Sequence, residues 1–260
     1  MNFKTALLTT AAVALIVGTA NAKDFTGSLF LPSKGEVLSN TSVDLSRTKY
    51  KGGFVAKDFS ASEELTYGVT DNLSVYGSIL NYFDFDKVTN REYNNDHNFA
   101  YELGVKYNHS FGRVLTQVAL GYETYQPASW YGHRYMDDNE WEKIINVEGQ
   151  LGYALDNGWT PYATISADSY VDTKDRQIDY SIFAGVHKSC DKVAVDTGLR
   201  YEFNTDNGAN TNMVYWQAEV NYFVTDKVAV GVHGDYYLGG SYNHEIKYDT
   251  TVGAQLKVLF

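Results

Sequence analysis

From about residue 40 onward, apolar and polar residues alternate along the chain in segments of about ten residues. In the segment 193–203, Val195 and Tyr201 have one parity, whereas Asp196 and Arg200 have the other. Because strand side chains point alternately to opposite faces, each segment is predicted to be a β-strand with one apolar and one polar face. A length of about ten residues is what a tilted strand needs to cross a bilayer. The same division occurs in the segments 99–107, 114–122, 145–153, 161–168, 178–187, 213–224 and 228–236.

The first segments alternate less regularly than the rest. They lie near 41–48 and 57–69, and Glu63 falls on the apolar parity, which indicates either a β-bulge or a shifted register. Residues 23–38 do not fit the strand pattern, so they are predicted to be a periplasmic lead-in or a plug, with the barrel at 39–260.

The connectors between these segments are alternately short turns and long polar loops. The short connectors, VTDN, HSFGR, LDNG, SCDK and VTDK, hold the Asp, Asn and Gly residues that tight hairpins favour. Outer-membrane barrels have short turns on one rim and long loops on the other. With an even count of about twelve strands, the pattern predicts an all-β fold, a single transmembrane antiparallel up-and-down β-barrel.

A soluble β-sandwich is the competing fold, because its strands also alternate between apolar and polar faces. The distribution of tyrosines separates the two. The chain has 22 tyrosines, and many of them stand at the ends of the apolar faces, among them Tyr67, Tyr107, Tyr153 and Tyr222. Aromatic rings at both levels of an apolar band are typical of the girdles of membrane barrels. The sequence therefore favours a membrane barrel over a sandwich.

The first 22 residues, MNFKTALLTTAAVALIVGTANA, have the features of a secretory signal peptide. Lys4 precedes an apolar run, and the stretch ends in Ala20-Asn21-Ala22, so cleavage is predicted near Ala22. The whole chain has a net charge of -11, and removal of this leader, which holds one lysine and no acid, leaves -12. Such a chain disfavours nucleic acid as a partner.

The chain closes on GAQLKVLF, in which Ala254, Leu256, Val258 and Phe260 alternate with polar residues. This ending resembles the closing strand of Gram-negative outer-membrane β-barrel proteins of the porin-like kind, which end on an aromatic residue. The resemblance implies an outer-membrane location and makes Phe260 the signal read by the outer-membrane assembly machinery. The stretch EELTYGVTDNLSVYGSI at 63–79 also resembles the early hairpin of the barrels encoded with aromatic (phenol) degradation pathways.

Charged residues are concentrated on the parity that faces the lumen of such a barrel. An acid-rich lumen favours cations, because carboxylates in a confined wall stabilise positive charge. Alternatively, the charges pair with one another and fill the interior. The predicted lumen-lining residues are Glu102, Lys106, Glu123, Glu148, Asp168, Asp179, Asp196, Arg200, Glu202, Glu219, His233, Asp235 and Asp249, together with Asp44, Glu64, Lys247 and Lys257.

Hairpin geometry predicts which of these residues are neighbours. Folding the chain about SCDK places Arg200 opposite Ser181 and between Asp179 and Glu202, as a structural clamp. Folding it about the later turns places His233 near Glu219, Asp249 and Thr251. The histidine cluster is the best candidate for a catalytic centre, but no serine is positioned for nucleophilic chemistry, so the sequence predicts no enzyme and no catalytic residue.

The longest polar loop, YQPASWYGHRYMDDNEWE at 125–142, concentrates aromatic and charged residues. It is interpreted as a loop constriction or a cation site, because closely spaced oxygen donors suit calcium, or simply as a solvated outer loop. The candidate residues are Trp130, His133, Arg134, Asp137, Asp138 and Glu140.

Together these patterns predict a passive channel or porin for small solutes, including cationic ones, without a cofactor or a resident metal. The alternatives are a closed structural or adhesive barrel that acts through its extracellular loops and, third, a barrel-embedded hydrolase. The expected partners are outer-membrane lipid, the assembly machinery and the small solutes.

Overall fold

Twelve antiparallel strands pair edge to edge and close into one barrel in the computed structural model of the chain. The structure describes residues 24–51, 53, 55–84, 97–125, 142–171, 178–204, 212–241 and 246–260. The predicted signal peptide, residues 1–22, lies outside the described residues. The predicted fold class is confirmed: the chain is an all-β, closed, up-and-down barrel in which every strand pairs with its neighbours in sequence.

The strands are longer than the predicted segments, because the pairing extends past the apolar band at both ends. Their bounds are β1 Val37–Tyr50, β2 Val55–Gly68, β3 Leu73–Asp84, β4 His97–Phe111, β5 Val114–Tyr125, β6 Glu142–Tyr153, β7 Trp159–Tyr170, β8 Ile178–Cys190, β9 Val193–Asn204, β10 Asn212–Phe223, β11 Val228–Ser241 and β12 Ile246–Leu259.

The closing strand β12 lies between β11 and β1 and removes both free edges of the sheet. Its pairing with β1 runs from Leu38 opposite Leu259 to the outer end of both strands. At the rim, Phe260 N–H donates to Val37 O at 2.8 Å, and Val37 N–H donates back at 3.3 Å. Closure satisfies the backbone groups that an open edge would expose to lipid.

The outer surface of the barrel is apolar, and its inner surface is polar. Leu103, Val118 and Leu151 are more than half exposed. Gln117 and Asn221, which have the inward parity, are buried. A soluble sandwich would bury its large apolar residues, so this distribution excludes the competing fold. The described residues include no helix long and apolar enough to span a membrane.

Short turns gather at one rim, which also holds the start of β1 and the end of β12. These turns join β2 to β3, β4 to β5, β6 to β7, β8 to β9 and β10 to β11. Asp191 in the β8–β9 turn has a φ of 44°, the left-handed conformation that tight hairpins use. On the opposite rim, the β1–β2 connection comprises only residues 51–54, and all the connections on this rim contain residues outside the described set.

The irregularity predicted at Glu63 has a different cause from the one expected. The register between β1 and β2 is continuous from Val37 opposite Tyr67 to Lys49 opposite Val55, so there is no bulge between these strands. Glu63 faces outward, where its carboxylate accepts hydrogen bonds from Ser39 Oγ at 2.6 Å and from Thr41 Oγ1. The alternation was therefore correct, and a polar residue occupies a lipid-facing position. β1 also begins at Val37, two residues before the predicted barrel boundary.

The predicted neighbours of Arg200 and His233 were partly wrong. Arg200 lies opposite Phe183 instead of Ser181, because the β8–β9 hairpin turns about Asp191 and Lys192, with Cys190 opposite Val193. His233 lies opposite Glu219, as predicted, but its neighbour on β12 is Gly253 instead of Asp249 or Thr251. The predicted partner was displaced by two residues for Arg200 and by two or four residues for His233, and an even displacement preserves the face of each side chain but changes its partners.

Candidate functional site

The lumen contains a cavity of about 690 Å³ that is lined mostly by polar side chains. Its walls come from strands on opposite sides of the barrel and from the segment that precedes β1. Of the predicted lumen residues, Glu148, Asp168, Asp196, Arg200, Glu202, Glu219, His233, Asp235 and Lys257 line this cavity. The register gives Glu102, Lys106, Glu123, Asp179 and Asp249 the same inward parity, but they do not line the cavity.

Arg200 is held by two carboxylates on the wall formed by β8–β12. Its Nε lies 2.9 Å from Glu202 Oε1, and its Nη2 donates to Asp235 Oδ2 at 3.0 Å. The guanidinium also lies over the Tyr215 ring, 4.9 Å from its centroid. Arg200 is therefore a clamp, as predicted, but Asp235 on β11 replaces Asp179 as its second acid.

Lys257 joins β12 to β10 lower in the same wall. Its ammonium group donates to Glu219 Oε1 at 2.7 Å, and this carboxylate also accepts from Asn221 Nδ2 at 2.5 Å. Gln255 Nε2 donates to Asn221 Oδ1 at 2.8 Å. The lysine side chain is nearly buried where it lines the cavity, and its charge is compensated there by the Glu219 carboxylate.

His233 is bonded to a carboxylate from a strand that the sequence did not associate with it. Its Nε2 lies 2.5 Å from Asp44 Oδ1 on β1, across the intervening strand β12. Gly253, the β12 residue between them, leaves room for this contact, because an added Cβ would lie 2.1 Å from Asp44 Oδ1. Within the described residues, no group of three or more His, Cys, Asp and Glu side chains has the arrangement of a metal site.

The wall formed by β2–β7 is strongly acidic. Lys106 donates to Glu64 Oε1 at 2.9 Å and lies over the Tyr76 ring, while Tyr76 Oη donates to Glu102 Oε1 at 2.5 Å. Glu123 stands opposite Glu102 on β5. Among the inward side chains described on these strands, Lys106 is the single lysine or arginine.

Two further acids of this wall face the cavity with amide partners instead of cations. Glu148 accepts from Gln150 Nε2 at 2.8 Å, and Asp168 accepts from Asn146 Nδ2. An amide satisfies a hydrogen bond but leaves the negative charge uncompensated. Both walls therefore hold more acids than lysines and arginines, and the cations Arg200 and Lys257 of the β8–β12 wall are each paired with carboxylates.

The segment 24–36, which precedes β1, lies across the short-turn mouth of the barrel. Phe25 is 1% exposed and packs with Ala194, Phe223, Ala229 and Leu259 from the inner wall. Its ring meets that of Phe223 edge-on at 5.5 Å. Thr26 and Ser28 contribute to the cavity lining, so the segment enters the lumen and forms part of its floor.

Polar contacts tie the same segment to β8 and β12. Asp24 Oδ2 lies 2.6 Å from His187 Nε2 on β8, and His187 Nδ1 lies 3.3 Å from Asp196 on β9. Lys257 Nζ on β12 donates to the Thr26 carbonyl at 3.2 Å. Burial alone would raise the pKa of the Asp24 carboxyl, but the hydrogen bond and charge of His187, with two hydrogen bonds from Thr26, lower that pKa below its ordinary value.

The sequence interpretation missed His187 and Asp24 as members of this site. A signal for the segment was present: Phe25, Leu29, Phe30 and Leu31 form an apolar cluster in a stretch too short and irregular for a strand. Such a cluster indicates a segment that packs against protein. The loop residues Trp130, His133, Arg134, Asp137, Asp138 and Glu140 lie outside the described residues.

Comparison with solved structures shows the same fold in outer-membrane barrels. The COG4313 outer membrane channel from Pseudomonas putida F1 superposes with a TM-score of 0.69 over 93% of this chain and 100% of that chain, at 14% identity. The NanC porin gives 0.54 over 83% and 98%, at 10% identity. The transport unit of the autotransporter AIDA-I from Escherichia coli gives 0.53 over 98% and 97%, at 11% identity.

No protein-family profile and no curated protein sequence matches the chain. The solved structures establish the fold of a Gram-negative outer-membrane barrel, which confirms the resemblance drawn from the closing strand. At identities this low, they carry no information on which solute or partner the chain binds.

Proposed function

We propose that the protein is an outer-membrane channel for small solutes that prefers cations, exported through its leader and inserted after cleavage near Ala22. The observation that carries the proposal is the polar cavity inside the closed barrel, which is lined by six carboxylates and by two permanently charged cations, Arg200 and Lys257. The names of two barrels with the same fold, a channel and a porin, support it.

The preference for cations follows from where the charges are compensated. Arg200 and Lys257 are each bonded to carboxylates, so neither offers a free positive charge to an anion in the cavity. Glu148 and Asp168 face the same cavity, and the hydrogen bonds described for their carboxylates come from amide groups and not from cations. A solute that enters the cavity therefore meets negative charge, which favours cations in a confined wall.

Reversal potentials in planar bilayers test the preference. Under a KCl gradient the wild-type protein is expected to conduct and to favour K⁺ over Cl⁻. The double variant Glu148→Gln/Asp168→Asn should conduct with a smaller preference, because the amides keep the volume and remove the charge. Asp156→Asn, which removes a carboxylate from an exposed short turn, is the matched control and should leave the preference unchanged. An anion preference in the wild-type protein would refute the proposal.

The second candidate is a closed barrel that acts through its extracellular loops, and the segment 24–36 favours it. Its Phe25 is locked into the wall, and the inner ion pairs occupy part of the lumen. Deletion of residues 24–36 separates the candidates. If the intact protein conducts, it is an open channel. If conduction appears only after the deletion, the protein is a channel that the segment 24–36 plugs. If neither protein conducts, the barrel is closed.

A barrel-embedded hydrolase is not proposed. In both His187 and His233, Nε2 is hydrogen-bonded to a carboxylate and not to a serine hydroxyl. Turnover of a lipid or peptide ester that is lost in His233→Ala would be needed to support catalysis.

Phe260 is proposed as the contact with the assembly machinery. Its side chain is 59% exposed at the rim, although its backbone is paired with Val37. Phe260→Ser should lower the amount of barrel inserted in outer membranes of living cells, without changing refolding of the purified chain into detergent.

A further inference from the structure

The outward face of the β1–β2 hairpin differs from the rest of the lipid-facing surface. Arg47 on β1 lies directly opposite Lys57 on β2, and Lys49 lies two residues further along β1 on the same face. We define these three residues as the basic patch. Their outward direction follows from parity, because Leu45 on the same face of β1 is 62% exposed.

The basic patch stands at the rim opposite the short turns. Arg47 is three residues from the end of β1, and Lys57 is two residues from the start of β2. The Arg47 guanidinium lies over the ring of the outward-facing Tyr248 on β12, 5.5 Å from its centroid, and Tyr248 is paired with Lys49. Tyrosines of this kind mark the level at which the apolar band meets the headgroups.

In the part of the chain that the structure describes, no carboxylate neutralises the positive charges of the basic patch. No ion pair there involves Arg47, Lys49 or Lys57. Glu63, on the same face of β2, is six residues from Lys57, a separation of about 20 Å along a strand. Like charges directly opposite one another in a sheet repel, so the bare hairpin is destabilised at this point.

We propose that the basic patch binds the phosphate groups of an anionic glycolipid in the outer leaflet. A phosphate between Arg47 and Lys57 would accept hydrogen bonds from both and remove their repulsion, and Arg47 offers the planar donor fork that suits a phosphate. The glycolipid's acyl chains would run down the apolar surface toward Leu45 and Val252, which are both exposed. The inference requires the long-loop rim to face outward, but it does not require the pore to conduct.

Binding of diphosphoryl lipid A to the refolded full-length protein in neutral detergent tests this site, with native mass spectrometry as the readout. The double variant Arg47→Gln/Lys57→Gln is expected to bind the lipid about 30-fold more weakly, because each cation near an anionic headgroup increases the affinity about fivefold. The matched control Lys143→Gln/Lys188→Gln removes two positive charges from the outer surfaces of β6 and β8, and its affinity should be unchanged.

Three results would overturn the proposal. The first is that the Arg47→Gln/Lys57→Gln variant binds diphosphoryl lipid A as tightly as the wild type does. The second is that the wild type binds dephosphorylated lipid A as well as diphosphoryl lipid A, and the third is that excess inorganic phosphate displaces the lipid completely. The last result would assign the patch to free phosphate instead of a lipid. Unboiled gel mobility verifies that each variant is folded, and if the double variant does not fold, the single variants Lys57→Gln and Lys49→Gln are measured against Lys143→Gln.

Discussion

At the scale of single residues, packing inside the barrel depends on glycines, because a side chain from a neighbouring strand can lie directly on their backbone. The Tyr76 ring covers Gly104 on β4, so that an added Cβ would lie 2.5 Å from the ring and 2.5 Å from the Leu120 carbonyl. A backbone carbonyl cannot move aside as the end of a side chain can. The glycine is therefore what allows Tyr76 to reach Glu102 and Lys106.

Gly104→Ala is accordingly expected to destabilise the barrel by about 1–3 kcal/mol, the usual cost of overpacking. The change should appear as a lower midpoint in urea-induced unfolding of the barrel. Gly149→Ala on β6 is the matched control, because an added Cβ there would meet nothing within 4 Å. Equal midpoints for the two variants would contradict this expectation and show that both the Tyr76 ring and the Leu120 backbone can shift at little cost.

At the scale of elements, the contacts that hold the segment 24–36 include the apolar anchor Phe25, the ionic contact of Asp24 with His187 and the hydrogen bond from Lys257 to the Thr26 carbonyl. The Phe25 anchor does not depend on pH. The contact of Asp24 with His187 does, because it lowers the pKa of the Asp24 carboxyl. A group whose folded pKa is depressed stabilises the docked state above its ordinary pKa, and this contribution is lost as pH falls through the lower, folded value.

Docking of the segment should therefore weaken as the pH falls below the ordinary value of 3.8 for this carboxyl. Protease cleavage within 24–36 on the refolded protein, after a brief incubation at each pH, measures the fraction undocked. Asp24→Asn should be more readily cleaved at neutral pH and should lose the acid-induced increase, whereas Phe25→Ala should be more readily cleaved at every pH. An acid response that persists in Asp24→Asn would show that a different group controls docking.

At the scale of the whole molecule, the stability of the barrel resides in its closure. The backbone of each strand pairs only with its two neighbours, and the β1–β12 seam is as continuous as the hairpins that the chain forms locally. A closed sheet has no edge from which detergent can begin to separate the strands. The barrel therefore has to open at a seam before it unfolds.

Unboiled protein should accordingly migrate at a different position from boiled protein in a denaturing gel, because the closed barrel remains folded in the detergent. The double variant Val43→Pro/Leu45→Pro removes two β1 backbone donors and introduces a residue that a paired strand does not accommodate. It should abolish the folded species. A purified mature chain that is monomeric and soluble without detergent would contradict the membrane assignment.

The sequence by itself determined the fold class and the face of most side chains, since both depend on a period of two that each strand carries locally. It also indicated which residues point into the lumen. Even the apparent exception at Glu63 obeyed the alternation, because the hydroxyls of Ser39 and Thr41 on the neighbouring strand satisfy its carboxylate on the outer face.

Only the tertiary structure decided which of those inward residues touch. The partners of Arg200 changed when the β8–β9 hairpin turned about Asp191 and Lys192, a displacement that the alternation cannot reveal because it leaves every face unchanged. The contact of Asp44 with His233 spans 189 positions, and that of Asp24 with His187 spans 163. Such pairs exist because closure brings β1 beside β12 and folds the segment 24–36 back into the lumen, and no local pattern along the chain records either event.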